Sequence, residues 1–188
     1  MKERIKIRDR LHLVSEIARE IGTHGNTVSL NHFDTSCVED MSYIFSIAAA
    51  TGGSSGAISN FNGSIDQWDV TSVRNMSGMF KAASSFNQPL NAWDISKVLS
   101  MDDMFNNATE FNQPLDLWNV SSVMWMEGMF YRAEKFKQSL KDWNVNPNAK
   151  TSNFFKKKTF FACKEMWERE ALKTLIPNGI SQRVGPVL

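Results

Sequence analysis

Residues 86–110 read FNQPLNAWDISKVLSMDDMFNNATE, and residues 111–135 repeat this pattern in register as FNQPLDLWNVSSVMWMEGMFYRAEK. Three further ladders keep the same period: Phe61, Phe86, Phe111 and Phe136; Trp68, Trp93, Trp118 and Trp143; and Ile65, Leu90, Leu115 and Leu140. A fixed period of this length is typical of a solenoid, in which each repeat stacks on its neighbours. We therefore expect a fold that offers an extended surface rather than an enclosed chemical pocket.

Within one repeat, Leu90-x-x-Trp93-x-Ile95 has the spacing of a leucine-rich repeat. Trp93 and Ile95 are two residues apart and so would share one face of a short strand. The following apolar residues recur three and four apart, which favours a short helix or helical turn; they are Met101, Met104, Phe105 and Ala108. The predicted fold class is an α/β repeat solenoid that is leucine-rich-repeat-like. It has short parallel strands on one face, short helices or helical turns on the other, and helical caps at both ends.

The chain is predicted to form a single domain over 1–188. Residues 1–29 would be an N-terminal arm with a cap helix, and residues 30–155 about five repeat turns. Residues 156–188 would form a C-terminal cap and tail. The first repeat carries an insertion at 46–60, which is rich in Gly, Ser and Ala and reads as a loop. Two interpretations of it stay open: an insertion without a role, or a binding loop.

Both ends of the chain contain candidate cap helices. Basic residues alternate through 1–10, which predicts a solvated arm, and a helix is expected over 9–21. Gly22 is placed to stop that helix. Its inward face is expected to carry Leu11, Val14, Ala18 and Ile21. A second helix is expected over 163–176.

The repeated units FNQPLNAWDISKVLSMDDMF and FNQPLDLWNVSSVMWMEGMF resemble the BspA-like leucine-rich-repeat surface proteins, a group long filed as a domain of unknown function. The resemblance covers roughly residues 28–155, and the motif recurs in register. It implies a repeat solenoid in a largely bacterial family of surface proteins and lipoproteins, with roles in adhesion or protein binding. It supplies no catalytic residues.

Composition narrows the class of partner and the compartment. The formal net charge of +1 provides no strong field toward nucleic acid or an anionic membrane. No segment has the roughly 18 apolar residues that a membrane span needs. As the chain stands, its N-terminus lacks a secretory signal, which predicts a cytoplasmic protein. If the native chain begins further upstream, with a signal segment, the cell surface is the expected location instead. The ends carry one cysteine each, Cys37 and Cys163, which a solenoid would hold too far apart for a disulfide.

One polar series repeats while pointing away from the predicted core. Its candidate binding residues are Gln67, Asp69, Thr71, Asp94, Ser96, Asn119, Ser121, Asp142 and Asn144. Solenoids commonly bind partners along such a strip. The alternative is that Asp and Ser side chains hydrogen-bond at the turn and hold the next corner. A second polar ladder, Asn62, Asn87 and Asn112, is expected to satisfy backbone groups at a corner.

Other constellations favour structural roles. The strict repetition of the aromatic and Met ladders indicates core packing rather than a cofactor box. Lys156, Lys157 and Lys158 lie between two pairs of phenylalanines. Basic residues interleaved with aromatic ones can bind single-stranded nucleic acid, but these lysines fit a solvated corner better. The three histidines show no metal-binding spacing, and no phosphate loop or nucleophile elbow is present, so we expect no cofactor and no metal.

We therefore predict a non-enzymatic scaffold that binds a protein partner of unknown identity through its solenoid surface. The alternative function is a structural repeat segment of a bacterial cell-surface adhesin or lipoprotein. Because both ends are expected to be capped, the protein should be a monomer or weak dimer.

Overall fold

The computed structural model describes residues 4–46 and 58–155. Within these residues the regular elements are β1 (Ile5–Lys6), α1 (Arg10–His24) and β2 (Phe33–Asp34). Strand β1 pairs with β2 in parallel, with Ile5 opposite Phe33. The remaining described backbone consists largely of turns and irregular segments, and one series of turns hydrogen-bonds to the equivalent turns of neighbouring repeats.

The prediction of a solvated arm over 1–10 is wrong for its second half. Residues Ile5–Lys6 form β1, and the Ile7 side chain is fully buried. The alternation of basic and other residues is the period of a half-buried strand, in which the charged side chains point outward. Strand β1 thus adds to the edge of the first repeat through its pairing with β2.

Helix α1 begins and ends later than its pattern predicts. Asp9 is the N-cap, and its Oδ1 accepts a hydrogen bond of 2.8 Å from the His12 backbone N–H. The helix continues past Gly22 to His24 and stops at Gly25, whose φ of 83° is left-handed.

The predicted inward face of α1 is also partly wrong. Leu11 is 75% exposed, whereas the apolar residues that α1 buries fully are Leu13, Ile17 and Ile21. Val14 and Ala18 are only partly buried against the core. Leu11 lies more than 100° around the helix from the centre of this face, because each residue turns the helix by about 100°. The spacing alone did not distinguish the two overlapping stripes.

A ladder of parallel bridges joins successive repeats. It runs through Asp40, Asn75, Ser100, Trp125 and Lys150, which we call the bridge ladder. Apart from the first step, which spans the insertion, its members are 25 residues apart. The residue after each ladder member also bonds to the following repeat. For example, the Met101 N–H donates to the Trp125 carbonyl at 2.7 Å. Equivalent positions of neighbouring repeats therefore lie side by side.

The parallel pairing lies at a different place from the one expected. No strand forms over Leu90–Ile95, and at Met101–Ala108, where a short helix or helical turn is expected, the structure has turns. In that segment the N–H groups of Met101, Asp103, Phe105 and Asn107 all donate to carbonyls of the following repeat. Asp103 and Asn107 have left-handed φ angles of 55° and 58°. Left-handed residues and bonds to the next repeat are incompatible with a continuous helix.

The aromatic ladders form the core, as the repetition predicts. The ladder tryptophans and phenylalanines are buried, together with the methionines that follow them. Phe105 stacks on Phe80 and Phe130, with ring centroids 5.4 Å away in each case. The indole rings of Trp68 and Trp93 stack at 6.5 Å. Stacked rings at this separation contribute packing beyond their buried area.

Each ladder tryptophan also bonds to the preceding repeat. The Trp118 Nε1–H donates to the Leu90 carbonyl at 3.0 Å, and Trp143 donates to Leu115 at 2.8 Å. Trp68 and Trp93 make the equivalent bonds to Leu30 and Ile65. Each of these carbonyls also accepts the backbone N–H three residues on, so the indole supplies a second hydrogen bond in each step of the stack.

The predicted role of the asparagine ladder is confirmed. Asn87 Oδ1 accepts the backbone N–H of Asn112 at 2.9 Å, and Asn112 Oδ1 accepts that of Lys137 at the same distance. Asn62 does the same for Asn87. Lys137 ends the series because its side chain has no acceptor to offer the next repeat.

Some predictions fall on residues outside the described ranges. They are the greater part of the 46–60 insertion, the C-terminal cap at 156–188 and Cys163. Cys37 is exposed and is a free thiol. Within the two described ranges, no helix combines the length and apolar character that crossing a bilayer requires.

Candidate functional site

The structure places the nine predicted binding residues at the surface or near it. Ser96 and Ser121 are half-buried, and the other seven are exposed. We call this series the polar strip; it comprises Gln67, Asp69, Thr71, Asp94, Ser96, Asn119, Ser121, Asp142 and Asn144. Each Trp-x-Val or Trp-x-Ile step directs its middle residue outward, since the residues on either side are buried.

The strip side chains make local hydrogen bonds at the corners. Asp69 Oδ1 accepts from both the backbone N–H and the hydroxyl of Thr71, at 3.0 and 2.7 Å. Asn119 Oδ1 accepts the same two bonds from Ser121, at 3.2 and 2.7 Å. Such side-chain bonds to the residue two positions on stabilise a turn. They support the corner-holding alternative without excluding contact with a partner.

The hydrogen bonds at its corner favour the charged form of Asp94. Hydrogen bonds from the side chain and the backbone N–H of Ser96 lower the pKa of Asp94, because they favour the charged form. The backbone bond, from Ser96 N–H to Asp94 Oδ1, measures 3.0 Å. Asn119 occupies the equivalent position one repeat later, so the corner needs an oxygen acceptor but no charge.

A concave groove lies elsewhere, on the turns that follow the bridge ladder. Its volume is about 600 Å³, and it is open to solvent. We call it the acidic groove; it is lined by Tyr43, Asp102, Asp103, Asn106, Glu127, Gly128, Tyr131, Ser152 and Asn153. These residues come from four repeats, so the stacking of the repeats creates the groove. A site with carboxylates, amides and two phenols on a fixed backbone can recognise polar and cationic groups.

A left-handed residue in each turn shapes the groove. Tyr43, Gly78, Asp103, Gly128 and Asn153 occupy equivalent positions and all have φ between 55° and 63°. A Cβ atom on Gly128 would collide with the Asp103 carboxylate, and one on Gly78 would collide with the Tyr43 ring. The glycines therefore leave the space into which the side chains of the preceding repeat extend.

The carboxylates of the groove repel one another. Partial burial raises the pKa of Asp102, and the nearby Glu127 and Asp103 carboxylates raise it further. The Glu127 backbone N–H donates to Asp102 Oδ1 at 2.7 Å and opposes that shift. Lys81 Nζ lies 2.6 Å from Asp103 Oδ2 and compensates one of the three charges, and the charge of Lys150 also lowers the pKa of Asp102. The remaining negative charge favours a cationic group in the groove.

Histidine and carboxylate side chains also meet on α1, where His12 Nε2 lies 3.8 Å from Glu16 Oε1. Glu20 on α1 lies 3.8 Å from His24 Nε2 and 3.8 Å from His32 Nε2. In the described part of the chain, no set of three His, Cys, Asp or Glu residues is arranged to hold a metal ion. The contact with His32 joins the helix to the loop that precedes β2, whereas the contact with His24 lies within the helix.

The sequence reasoning missed the acidic groove. Its carboxylates Asp102 and Glu127 replace the serines that other repeats carry at that position, Ser42, Ser77 and Ser152. Carboxylates at a repeat position that is otherwise serine could have been noticed in the sequence as a sign of this site. The concavity itself depends on how four turns stack, which no single repeat reveals.

Comparison with known protein families gave a match over the repeat region. The family described as "Mycoplasma protein of unknown function, DUF285" matches residues 50–167, more than half of the chain. No curated protein and no solved structure matches the chain.

Proposed function

Since the chain belongs to the DUF285 family of Mycoplasma proteins of unknown function, whose description assigns no activity, we propose from its geometry that it is a non-enzymatic protein-binding module. The fold that we propose is a leucine-rich-repeat-like solenoid, similar to the BspA-like repeats. The bridge ladder and the stacked rings support it, since both repeat with the period of the sequence.

The acidic groove is the observation that carries the binding proposal. It spans several repeats and is open to solvent, and a fixed backbone holds its side chains in place. Its carboxylates suit lysine or arginine side chains through charge, and the Tyr131 ring already accepts one such cation, with the Arg132 guanidinium 5.6 Å from its centroid. We therefore expect the partner to present a basic segment. The polar strip is the alternative surface for the same function.

Affinity capture from a lysate of the native organism tests the proposal. The bait would be the wild-type chain, a groove variant with Asp102→Lys and Glu127→Lys, and a strip variant with Asp94→Arg and Asn119→Arg. We expect a protein retained by the wild type and the strip variant but lost by the groove variant. Loss with the strip variant alone would assign binding to the polar strip. Specific capture by none of the baits would contradict the binding function.

The second candidate function is a structural repeat segment of a bacterial cell-surface adhesin or lipoprotein. The corner hydrogen bonds of the polar strip favour it, because they give those side chains a role in holding the stack. Protease accessibility on intact cells separates the two proposals by compartment. Cleavage from outside supports the surface segment, whereas protection supports a cytoplasmic binding module.

A further inference from the structure

One tryptophan in the described residues differs from the others. Trp68, Trp93, Trp118 and Trp143 are buried, and each indole N–H donates to a backbone carbonyl. Trp125 is 40% exposed, and its indole N–H has no acceptor among residues 4–46 and 58–155. Its ring therefore contributes less to the stacked core than the other four do.

The repeat does not require an aromatic residue at this position. The equivalent members of the bridge ladder are polar: Asp40, Asn75, Ser100 and Lys150. Leu99 lies beside Trp125 and is 38% exposed, although Arg74 and Glu39 occupy its position in earlier repeats. The Leu99 carbonyl accepts the backbone N–H groups of both Met124 and Trp125. Leu99, Met124 and Trp125 thus lie on adjoining turns of one corner, in columns that carry polar residues in earlier repeats.

Basic residues stand at both ends of this apolar group. The Leu99 N–H donates to the Arg74 carbonyl at 2.8 Å, and the Lys150 N–H donates to the Met124 carbonyl at 2.8 Å. Both basic side chains are exposed, and neither forms an ion pair within the described part of the chain. We call the five residues the corner stripe: Arg74, Leu99, Met124, Trp125 and Lys150.

The length of the corner stripe matches a short extended peptide. From Arg74 to Lys150 the ladder takes three steps of about 4.8 Å, or roughly 14 Å in all. An extended chain rises about 3.3 Å per residue, so four or five residues cover that distance. Tryptophan and arginine are the residues that most often dominate the energy of protein contacts.

We propose that the corner stripe docks an extended segment of a partner protein that has an acidic residue at each end and apolar residues between them. The carboxylates face Arg74 and Lys150, and the apolar side chains cover Leu99 and Trp125. Charge complementarity sets the partner's chemistry. The stripe shares no residue with the acidic groove, although the charge of Lys150 acts on Asp102 at the groove, so this proposal goes beyond the groove.

Fluorescence anisotropy with labelled pentapeptides tests this docking site on the full chain. The probe is Asp-Leu-Ser-Phe-Glu, and its matched control is Lys-Leu-Ser-Phe-Lys. We expect the acidic probe to bind at least tenfold more tightly than the control. Trp125→Ser should weaken the acidic probe at least tenfold and leave the melting curve nearly unchanged, because serine is the residue at Ser100 one repeat earlier.

A charge reversal gives the second, independent measurement. The variant with Arg74→Glu and Lys150→Glu should prefer the basic-ended peptide over the acidic one. The groove variant Asp102→Asn should not weaken the acidic probe, because it removes a carboxylate that attracts Lys150, and this separates the two surfaces. The proposal is overturned if the acidic probe does not bind, if Trp125→Ser leaves its affinity unchanged, or if the charge reversal leaves the preference unchanged.

Discussion

At the scale of single residues, the ladder tryptophans combine two functions. Each ring fills the core between repeats, and each indole N–H satisfies a carbonyl of the preceding repeat. Phenylalanine could supply most of the first function but none of the second. This accounts for a tryptophan, rather than any large apolar residue, at every one of these positions.

Substitutions at Trp118 separate the two contributions. Trp118→Ala should lower the free energy of unfolding by about 3–5 kcal/mol, because a large buried ring leaves a cavity. Trp118→Phe should cost about 0.5–1.5 kcal/mol, since it removes one buried hydrogen bond while the Leu90 carbonyl keeps the bond from the Trp93 backbone N–H. Urea denaturation monitored by circular dichroism measures both. A phenylalanine variant as stable as the wild type would show that the hydrogen bond contributes nothing.

The raised pKa of Asp102 leads to a prediction about how the stability of the protein depends on pH. Its folded-state pKa is raised, so the folded protein holds that proton more tightly than the unfolded chain does. The resulting stabilisation exists below the ordinary value of 3.8 and is lost as the pH rises through the folded-state pKa. Asp102→Asn keeps an oxygen acceptor for the Glu127 N–H and removes the repulsion among the carboxylates.

We therefore expect Asp102→Asn to raise the melting temperature at pH 7 and to lose that advantage below about pH 4. Thermal melts across the pH range measure the difference. Asp94→Asn is the matched control with the opposite sign, because hydrogen bonds lower the pKa of Asp94. An Asp102→Asn variant that is less stable than the wild type at pH 7 would contradict the repulsion.

At the scale of elements, the corners depend on side-chain acceptors. Asp94 and Asn119 each accept the backbone N–H of the residue two positions on. Arginine cannot accept these bonds, so Asp94→Arg and Asn119→Arg should each cost about 0.5–1.5 kcal/mol. Asp94→Asn retains the acceptor and should cost little at pH 7. Chemical denaturation compares the three, and equal stabilities would assign the strip residues no part in the corners.

At the scale of the whole molecule, the proposed solenoid predicts coupling only between neighbouring repeats. Trp68 and Trp93 stack directly, whereas Trp143 lies three repeats from Trp68. Tryptophan-to-phenylalanine changes at Trp68 and Trp93 should be non-additive by at least about 0.5 kcal/mol. The same changes at Trp68 and Trp143 should add within about 0.5 kcal/mol. Equal coupling in both double-mutant cycles would contradict a one-dimensional stack.

The sequence alone determined which side chains form the core and which corners carry asparagine. A residue that recurs every 25 positions meets its own equivalent in the next repeat, so Trp93 or Asn87 can be assigned from period alone. The choice between overlapping apolar stripes on α1 was less certain, and Leu11 was placed wrongly because both stripes satisfy helical spacing.

Tertiary structure decided where the repeats pair and which surfaces they form. The repeats pair at Ser100 rather than at Leu90–Ile95, and this pairing depends on turns with left-handed residues. Asp103 is one of these residues, although nothing about an aspartate requires a left-handed φ. The acidic groove and the corner stripe each arise from residues about 25 or more positions apart in the chain. Their geometry exists only once the repeats stack, because hydrogen bonds between repeats bring those residues together.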